Sequence, residues 1–163
     1  MGGVTFSKPR QLGPDDTIEG FSCGISVVDD WLHTRARGAR RAGTAVVYVS
    51  FCEGGLAGFY TLSSQSMARS SIGGWLARNA PSQIPVILLG MLGVDTRWHG
   101  EGLGHSLLVD AAQRASAVAQ SIGARALVVD PVDDSARAFY VRHGFRPIPG
   151  SNRLFAKLSS QEG

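Results

Sequence analysis

The feature that most constrains the fold is an apolar run that leads through a glycine-rich turn into a long helical pattern. Residues 86–94, VILLGMLGV, are short and rich in branched side chains, so they predict a buried central strand. The turn is HGEGLG, residues 99–104, and apolar residues then recur at helical spacing as far as Gly123. A strand, a glycine turn and a helix in this order indicate an α/β domain.

The other segments agree with that class. Residues 25–39 have helical spacing, with Ser22 or Ser26 as a candidate cap. The β-rich runs 45–51 and 56–64 flank a Gly-Gly turn and predict an antiparallel hairpin. We also expect an edge strand at 4–7, a short helix within 70–79, a strand at 126–130, a helix at 135–143 and a terminal hairpin of 145–147 with 154–158. Together these predict a mixed sheet with helices.

Composition narrows the class further. A chain of 163 residues with 44% hydrophobic and 18% charged residues fits one folded domain, residues 1–163. No apolar run is long enough for a membrane span, and the N-terminus lacks a signal-peptide core, so we expect a cytoplasmic protein. Neither cysteine, Cys23 or Cys52, lies in a metal-ligand spacing, so no metal site is expected.

The glycine turn predicts an anion site. Backbone N–H groups at the start of a helix point towards a ligand, the helix dipole favours negative charge, and glycine lets the backbone approach closely. The P-loop pattern is absent, and a dinucleotide fingerprint fits badly because His105 stands where its third glycine belongs. An ordinary tight strand–helix turn is the alternative.

Two segments carry a family resemblance. Residues 86–108 are similar to the acetyl-CoA motif of the GNAT family of N-acetyltransferases, with His99 where the family has Gln or Arg. Residues 133–145 resemble the end of that fold, with Asp133 in place of Asn. The resemblance implies a mixed, mostly antiparallel sheet with flanking helices and a splayed central strand pair, and turn amides that hold the pyrophosphate of acetyl-CoA.

The resemblance also implies site residues. Tyr140 is the expected general acid for the departing thiolate, and the Val94 N–H is the expected donor to the acetyl oxygen. A core aromatic beside Phe139 is the alternative for Tyr140. The implied cofactor contacts are Leu92, Gly93, Val94, His99, Gly100, Glu101, Gly102, Leu103, Gly104, Asp133, Ala136 and Phe139.

Further segments, residues 21–24, 30–32, 58–62 and 84–90, look like the GNAT toxins of bacterial toxin–antitoxin pairs. That resemblance implies acetylation of the α-amine of aminoacyl-tRNA, a ribbon-helix-helix antitoxin and a homodimer. Met91 departs from the arginine usual in that strand. No general base stands out, because Asp95 and Asp130 lie at strand ends and each is at least as well suited to a cap or an ion pair as to a base. An enzyme acting on a protein or small-molecule amine, or a non-catalytic acyl-CoA-binding module, is the alternative.

Basic residues crowd the end of the first predicted helix. The balance of 16 Lys+Arg against 13 Asp+Glu is only mildly basic. Arg37, Arg40 and Arg41 fall opposite the apolar stripe and are expected to face solvent. Clustered arginines bind phosphates well, so a tRNA contact is predicted, with a solvated helix face as the alternative. The predicted contacts are Arg35, Arg37, Arg40, Arg41 and Arg78.

Overall fold

The computed structural model describes residues 3–69 and 82–158. These residues form seven strands and three α-helices, with a 3₁₀ turn at Thr96–Trp98. The elements are β1 (Arg10–Gln11), α1 (Ser26–Ala42), β2 (Val46–Cys52), β3 (Gly55–Ala68), β4 (Gln83–Val94), α2 (Leu103–Ile122), β5 (Ala126–Val129), α3 (Asp134–Arg142), β6 (Arg146–Pro147) and β7 (Leu154–Lys157).

The strands form one sheet in the order β1-β2-β3-β4-β5-β7-β6. Four of its neighbouring pairs, β1–β2, β2–β3, β5–β7 and β6–β7, are antiparallel, whereas β4 and β5 are parallel. The parallel pairing matches residues 87–89 with 127–129, and β4 then continues to Val94. The predicted fold class, a mixed and mostly antiparallel sheet with helices, is therefore confirmed.

Backbone contacts divide the chain into two compact units. Unit 1 contains Met1–Leu62 and Met91–Ala111, and unit 2 contains Ser63–Gly90 and Ala112–Gly163. Several elements run through both. That residues 1–163 form one domain stays a prediction.

The core of unit 1 forms between α1 and the β2–β3 hairpin. Leu32 and Ala36 of α1 are fully buried with Val49 and Phe59 of the hairpin, as the amphipathic spacing predicts. The helix ends at Gly43, whose φ of 71° is in the left-handed region.

The start of α1 differs from the prediction. Its N-cap is Ile25, which makes no side-chain capping bond, so neither Ser22 nor Ser26 caps the helix. Instead, the carboxylate of Asp29 accepts hydrogen bonds from Ser22 Oγ at 3.1 Å and from the Cys23 N–H at 2.8 Å. A carboxylate inside the first turn thus takes the place of a cap and also complements the helix dipole.

The predicted hairpin is confirmed, with a loop of Glu53 and Gly54. Both residues have positive φ, 51° and 79°, which is the backbone that two-residue hairpin loops favour. The edge strand expected at residues 4–7 is wrong, because the strand lies at Arg10–Gln11. Ser7 nevertheless lies beside β2, since its N–H donates to the Phe51 carbonyl at 2.8 Å.

Unit 2 has an apolar core of its own, made by β4, β5 and the segment after β6. Ile84 and Val86 pack with Ala126, Val128 and Ile148. The helix predicted within 70–79 lies outside the described residues. In the two described ranges, no helix is both long and apolar enough to cross a bilayer.

Candidate functional site

The end of β4 lies tightly against α1 because Gly93 has no side chain. A Cβ at Gly93 would lie 3.0 Å from Val28 Cγ1 and 3.4 Å from Cys23 Sγ. On either side of it, Leu92 and Val94 are half-buried. This glycine is therefore required by close approach, and the strand end is held at a fixed distance from the helix.

Asp95, directly after β4, is a buried anchor. Its carboxylate accepts from the N–H and Nε of Arg97, both at 2.9 Å, and from the Ser22 N–H at 3.2 Å. Burial, the largest influence, would raise the pKa of Asp95, but these hydrogen bonds together hold it below its usual value.

Asp95 therefore stays ionised and engaged, which suits a cap and an ion pair rather than a base. Asp130 is likewise paired with Arg153 Nε at 2.7 Å. The structure thus gives Asp95 a cap and an ion pair and gives Asp130 an ion pair, and the identity of any general base stays open.

The glycine turn exposes backbone at the start of α2. Gly100 and Gly102 have φ values of 81° and 83°, which only glycine adopts readily, and a Cβ on either would meet no protein atom within 4 Å. The Ser106 N–H donates to the Gly102 carbonyl at 3.2 Å, so helical hydrogen bonding begins there. The backbone N–H groups before Ser106 have no acceptor within the helix. Because they are unpaired within α2, the turn can hold an anion.

The side chains of the turn have different tasks from its backbone. The Leu103 side chain is buried, whereas that of Glu101 is exposed. A Cβ on Gly58 of β3 would lie 3.0 Å from Leu103 Cδ2 and 2.9 Å from Leu107 Cδ1, so β3 receives the start of α2 only because Gly58 is small. The turn is thus fixed to β3 by the apolar packing of Leu103.

His99 braces the turn. Its Nε2 lies 2.7 Å from the Val94 carbonyl oxygen. A carbonyl can only accept, so Nε2 carries the hydrogen. The residue that departs from the family pattern thereby ties the turn to the end of β4, a role that the sequence did not predict.

On α3, Tyr140 has the environment of a proton donor. It is 8% exposed, and its ring packs against Phe139 and Phe145 at 5.3 and 5.4 Å. Its hydroxyl forms no hydrogen bond with any residue that the structure describes. Burial raises the pKa of Tyr140 further above its ordinary value of 10.0, so the phenol stays protonated at neutral pH.

The start of α3 is fixed by Asp133, whose carboxylate accepts from the Ala136 N–H at 2.8 Å. Ala136 and Phe139 are half-buried. The assignments of these residues to cofactor contacts stay predictions.

The arginines of α1 divide into two kinds. Arg37 donates to the carbonyls of Pro14 and Asp16, and Arg40 Nε donates to the Leu12 carbonyl at 2.6 Å. Arg40 is exposed, as expected, whereas Arg37 is half-buried, and both also hold residues 12–16 through these carbonyls. Arg35 and Arg41 are exposed and bond to no described residue. Arg78 lies outside the described residues.

Met91 belongs to the interior of unit 1. Its N–H donates to Thr61 Oγ1 at 2.9 Å, and its side chain packs against the core formed by α1 and the hairpin.

Within residues 3–69 and 82–158, no three His, Cys, Asp or Glu side chains are grouped as metal ligands. That the protein uses no metal stays a prediction.

Sequence reasoning missed a basic groove in unit 2. It is a cavity of about 530 Å³ lined by Gly144, Arg146, Phe155, Ala156 and Lys157. Most Lys and Arg residues of the second half lie after residue 112, but they are far apart in the sequence, and only the strand pairing brings Arg146 and Lys157 to one groove.

Comparison with known proteins gives a family match. The profile described as "Acetyltransferase (GNAT) domain" matches residues 43–147. A tRNA-acetylating toxin of Mycobacterium tuberculosis is 41% identical over 144 residues, which are 88% of this chain and 87% of the relative. A probable toxin TacT of Sinorhizobium fredii is 31% identical over 86% of this chain and 84% of its own.

Solved structures match the fold closely. A tyrosine-to-phenylalanine mutant of KacT has a TM-score of 0.85, with 23% identity over 96% of both chains. AtaT complexed with acetyl-methionyl-tRNAfMet has a TM-score of 0.83, with 24% identity over 94% of this chain and 95% of that one. A mutant of AtaT bound to the C-terminus of the antitoxin AtaR and to acetyl-CoA has a TM-score of 0.80, with 24% identity over 94% of both chains.

Proposed function

The chain belongs to the GNAT family and is an acetyl-CoA-dependent N-acetyltransferase, and we propose that it is a toxin that acetylates the α-amine of aminoacyl-tRNA. The observation that carries the proposal is the 41% identity, over 88% of the chain, with a tRNA-acetylating toxin. Blocking that amine prevents its use in peptide-bond formation, so the protein inhibits translation.

The glycine turn fits the pyrophosphate of acetyl-CoA. Gly100 and Gly102 leave open space where any other residue would place a Cβ, and the dipole of α2 favours an anion at its N-terminus. The amides of residues 100–104 hold the phosphates, with His99 bracing the turn and Leu103 anchoring it. Leu92 and Val94 pair with the pantetheine arm as an added strand would, beside the close-packed Gly93.

Acetyl-CoA supplies the thioester whose acetyl group is transferred. Tyr140 donates its hydroxyl proton to the departing thiolate, which it is suited to do because burial keeps the phenol protonated and no described residue hydrogen-bonds to its hydroxyl. The Val94 N–H stabilises the negative charge on the acetyl oxygen in the transition state. Asp133, Ala136 and Phe139 contribute the contacts of α3 with the cofactor.

The absence of an available strand-end base favours an α-amine as the acceptor. Asp95 and Asp130 are both engaged by arginines. An α-amine titrates near pH 7.7–8.0, whereas a lysine amine titrates near 10.4. A useful fraction of the α-amine is therefore neutral at pH 7 without a base in the enzyme.

An acceptor competition tests the proposed function. The protein is incubated with radiolabelled acetyl-CoA and, in parallel, with aminoacyl-tRNA, a lysine-containing peptide and a small primary amine. We expect the label on the α-amine of the aminoacyl-tRNA. Label on the peptide or the small amine alone would favour the other class of acetyltransferase, and no transfer to any acceptor would favour an acyl-CoA-binding module.

A toxin of this kind requires an inhibitor. Aminoacyl-tRNA is a cytoplasmic substrate, so an unrestrained enzyme would stop the translation of its own host. We propose a ribbon-helix-helix antitoxin as the partner and a homodimer as the assembly. Expression of the chain alone should then arrest growth, and co-expression with an adjacent small protein should restore it. Harmless expression of the active chain without such a protein would contradict the toxin function.

On α1, Arg35 and Arg41 are the arginines whose guanidiniums are available to an RNA phosphate. Arg37 and Arg40 are bound by carbonyls of the segment 12–16, and their contribution to RNA binding is therefore to position that segment. Arg78 remains a predicted contact from the sequence.

A further inference from the structure

Positive charge is divided unequally between the two units. Among the described residues, unit 2 contains eight Lys and Arg but only three Asp, whereas unit 1 contains seven Lys and Arg and nine Asp and Glu. The formal charges are therefore +5 and −2. Among the described residues, the excess of positive charge therefore belongs to unit 2 and not to unit 1, which contains the arginine-rich α1.

Two of the three described acidic residues of unit 2 have partners within that unit. Asp130 is paired with Arg153, and Asp133 caps α3. Arg146 is exposed, and its side chain forms no hydrogen bond or ion pair with another described residue. Its charge is therefore available to a ligand.

The basic groove places an aromatic ring beside two cations. Arg146 on β6 lies directly opposite Phe155 on β7, so their side chains share one face of the sheet. Lys157 lies two residues after Phe155 and shares that face. Arg146 and Lys157 are exposed, and Phe155 is half-buried. The cavity of about 530 Å³ is large enough for a nucleotide-sized group.

We propose that this groove binds an unpaired stretch of the substrate RNA, with phosphates at Arg146 and Lys157 and one base against the Phe155 ring. Cationic grooves with aromatic platforms are how proteins hold single-stranded nucleic acid. The proposal rests on the proposed function, because aminoacyl-tRNA carries its amino acid on an unpaired 3′ end. Gly144, which lines the groove, precedes Phe145, whose ring packs on Tyr140 of α3, so the groove lies next to the end of that helix.

Neutral substitutions distinguish the contribution of this groove to RNA binding from the contribution of α1. Each of two double variants, Arg146→Gln with Lys157→Gln and Arg35→Gln with Arg41→Gln, removes two positive charges. Binding of a tRNA that carries no amino acid is measured by filter retention between about 50 and 200 mM salt. For the groove variant we expect the slope of log K against log salt to become shallower by about 1.4, since each single-strand phosphate contact contributes about −0.7 to it. For the α1 variant we expect a smaller change.

The ring is tested separately. Phe155→Leu keeps the apolar contact with the core of unit 2 but removes the stacking platform, and should weaken RNA binding about 5- to 150-fold. Phe155→Tyr retains the platform and should bind RNA as the parent does. Thermal unfolding checks that each variant is folded.

The two failures are distinguishable. A parent protein that acetylates aminoacyl-tRNA, together with a groove variant whose slope is unchanged, would overturn the groove and leave the function intact. A groove variant that changes the oligomeric state in sedimentation but not RNA binding would also overturn it. A parent that neither binds nor acetylates tRNA would instead contradict the proposed function.

Discussion

Replacing Tyr140 by phenylalanine should lower the rate of acetyl transfer by about 10²–10⁴-fold while acetyl-CoA binding persists. The substitution removes only the hydroxyl, which is the proton donor for the departing thiolate in the proposed mechanism. No described residue bonds to that hydroxyl, so its loss leaves no buried partner unsatisfied. The ring contacts with Phe139 and Phe145 remain. Single-turnover acetylation measures the rate, and calorimetry measures the affinity for acetyl-CoA.

Tyr48→Phe is the matched control, because it makes the same chemical deletion on β2. It should retain the parental transfer rate. The pH profile adds a second readout. The raised pKa keeps Tyr140 protonated throughout the neutral range, so the rise of the rate with pH should follow the acceptor amine and not the phenol. A Tyr140→Phe protein that transfers acetyl at the parental rate would remove Tyr140 from the mechanism.

Local chemistry made much of the fold predictable from the sequence. The amphipathic spacing of α1, the Gly43 stop and the Glu53-Gly54 loop each depend on neighbours within a few residues, and each is confirmed. The same holds for α2, which ends at Ile122 before Gly123 with its φ of 70°. The glycine turn was predictable because its positive φ angles require glycine, and the glycines are visible in the sequence.

Long-range contacts account for what the sequence did not predict. Arg37 and Arg40 lie on the polar side of α1 by periodicity, yet carbonyls more than twenty residues earlier bind them. Asp29 anchors the start of α1 through Ser22 and Cys23 only because the chain turns back there. The groove of Arg146, Phe155 and Lys157 required the register of β6 with β7. Helical periodicity gives a side chain's direction but not its partner.

Replacing Gly102 by valine should abolish most acetyl-CoA binding. A φ of 83° is strained for valine by about 1–3 kcal/mol, so the turn will relax away from its present path. The valine side chain would also occupy the open space through which the phosphates approach the amides. Loss of two amide–phosphate hydrogen bonds, each about 1.5–3 kcal/mol, lowers the affinity about 10²–10⁴-fold. Calorimetric titration with acetyl-CoA measures the change.

Gly123→Val separates cofactor binding from backbone strain. Gly123 ends the same helix, has a φ of 70° and, like Gly102, has no protein atom within 4 Å of an added Cβ. Both variants should therefore lose comparable thermal stability, because each imposes the same kind of strain on an open turn. Only Gly102→Val should lose acetyl-CoA, because only its turn opens the N-terminus of α2, where an anion is favoured. If the two variants bind acetyl-CoA equally well, the phosphates are held elsewhere in the protein.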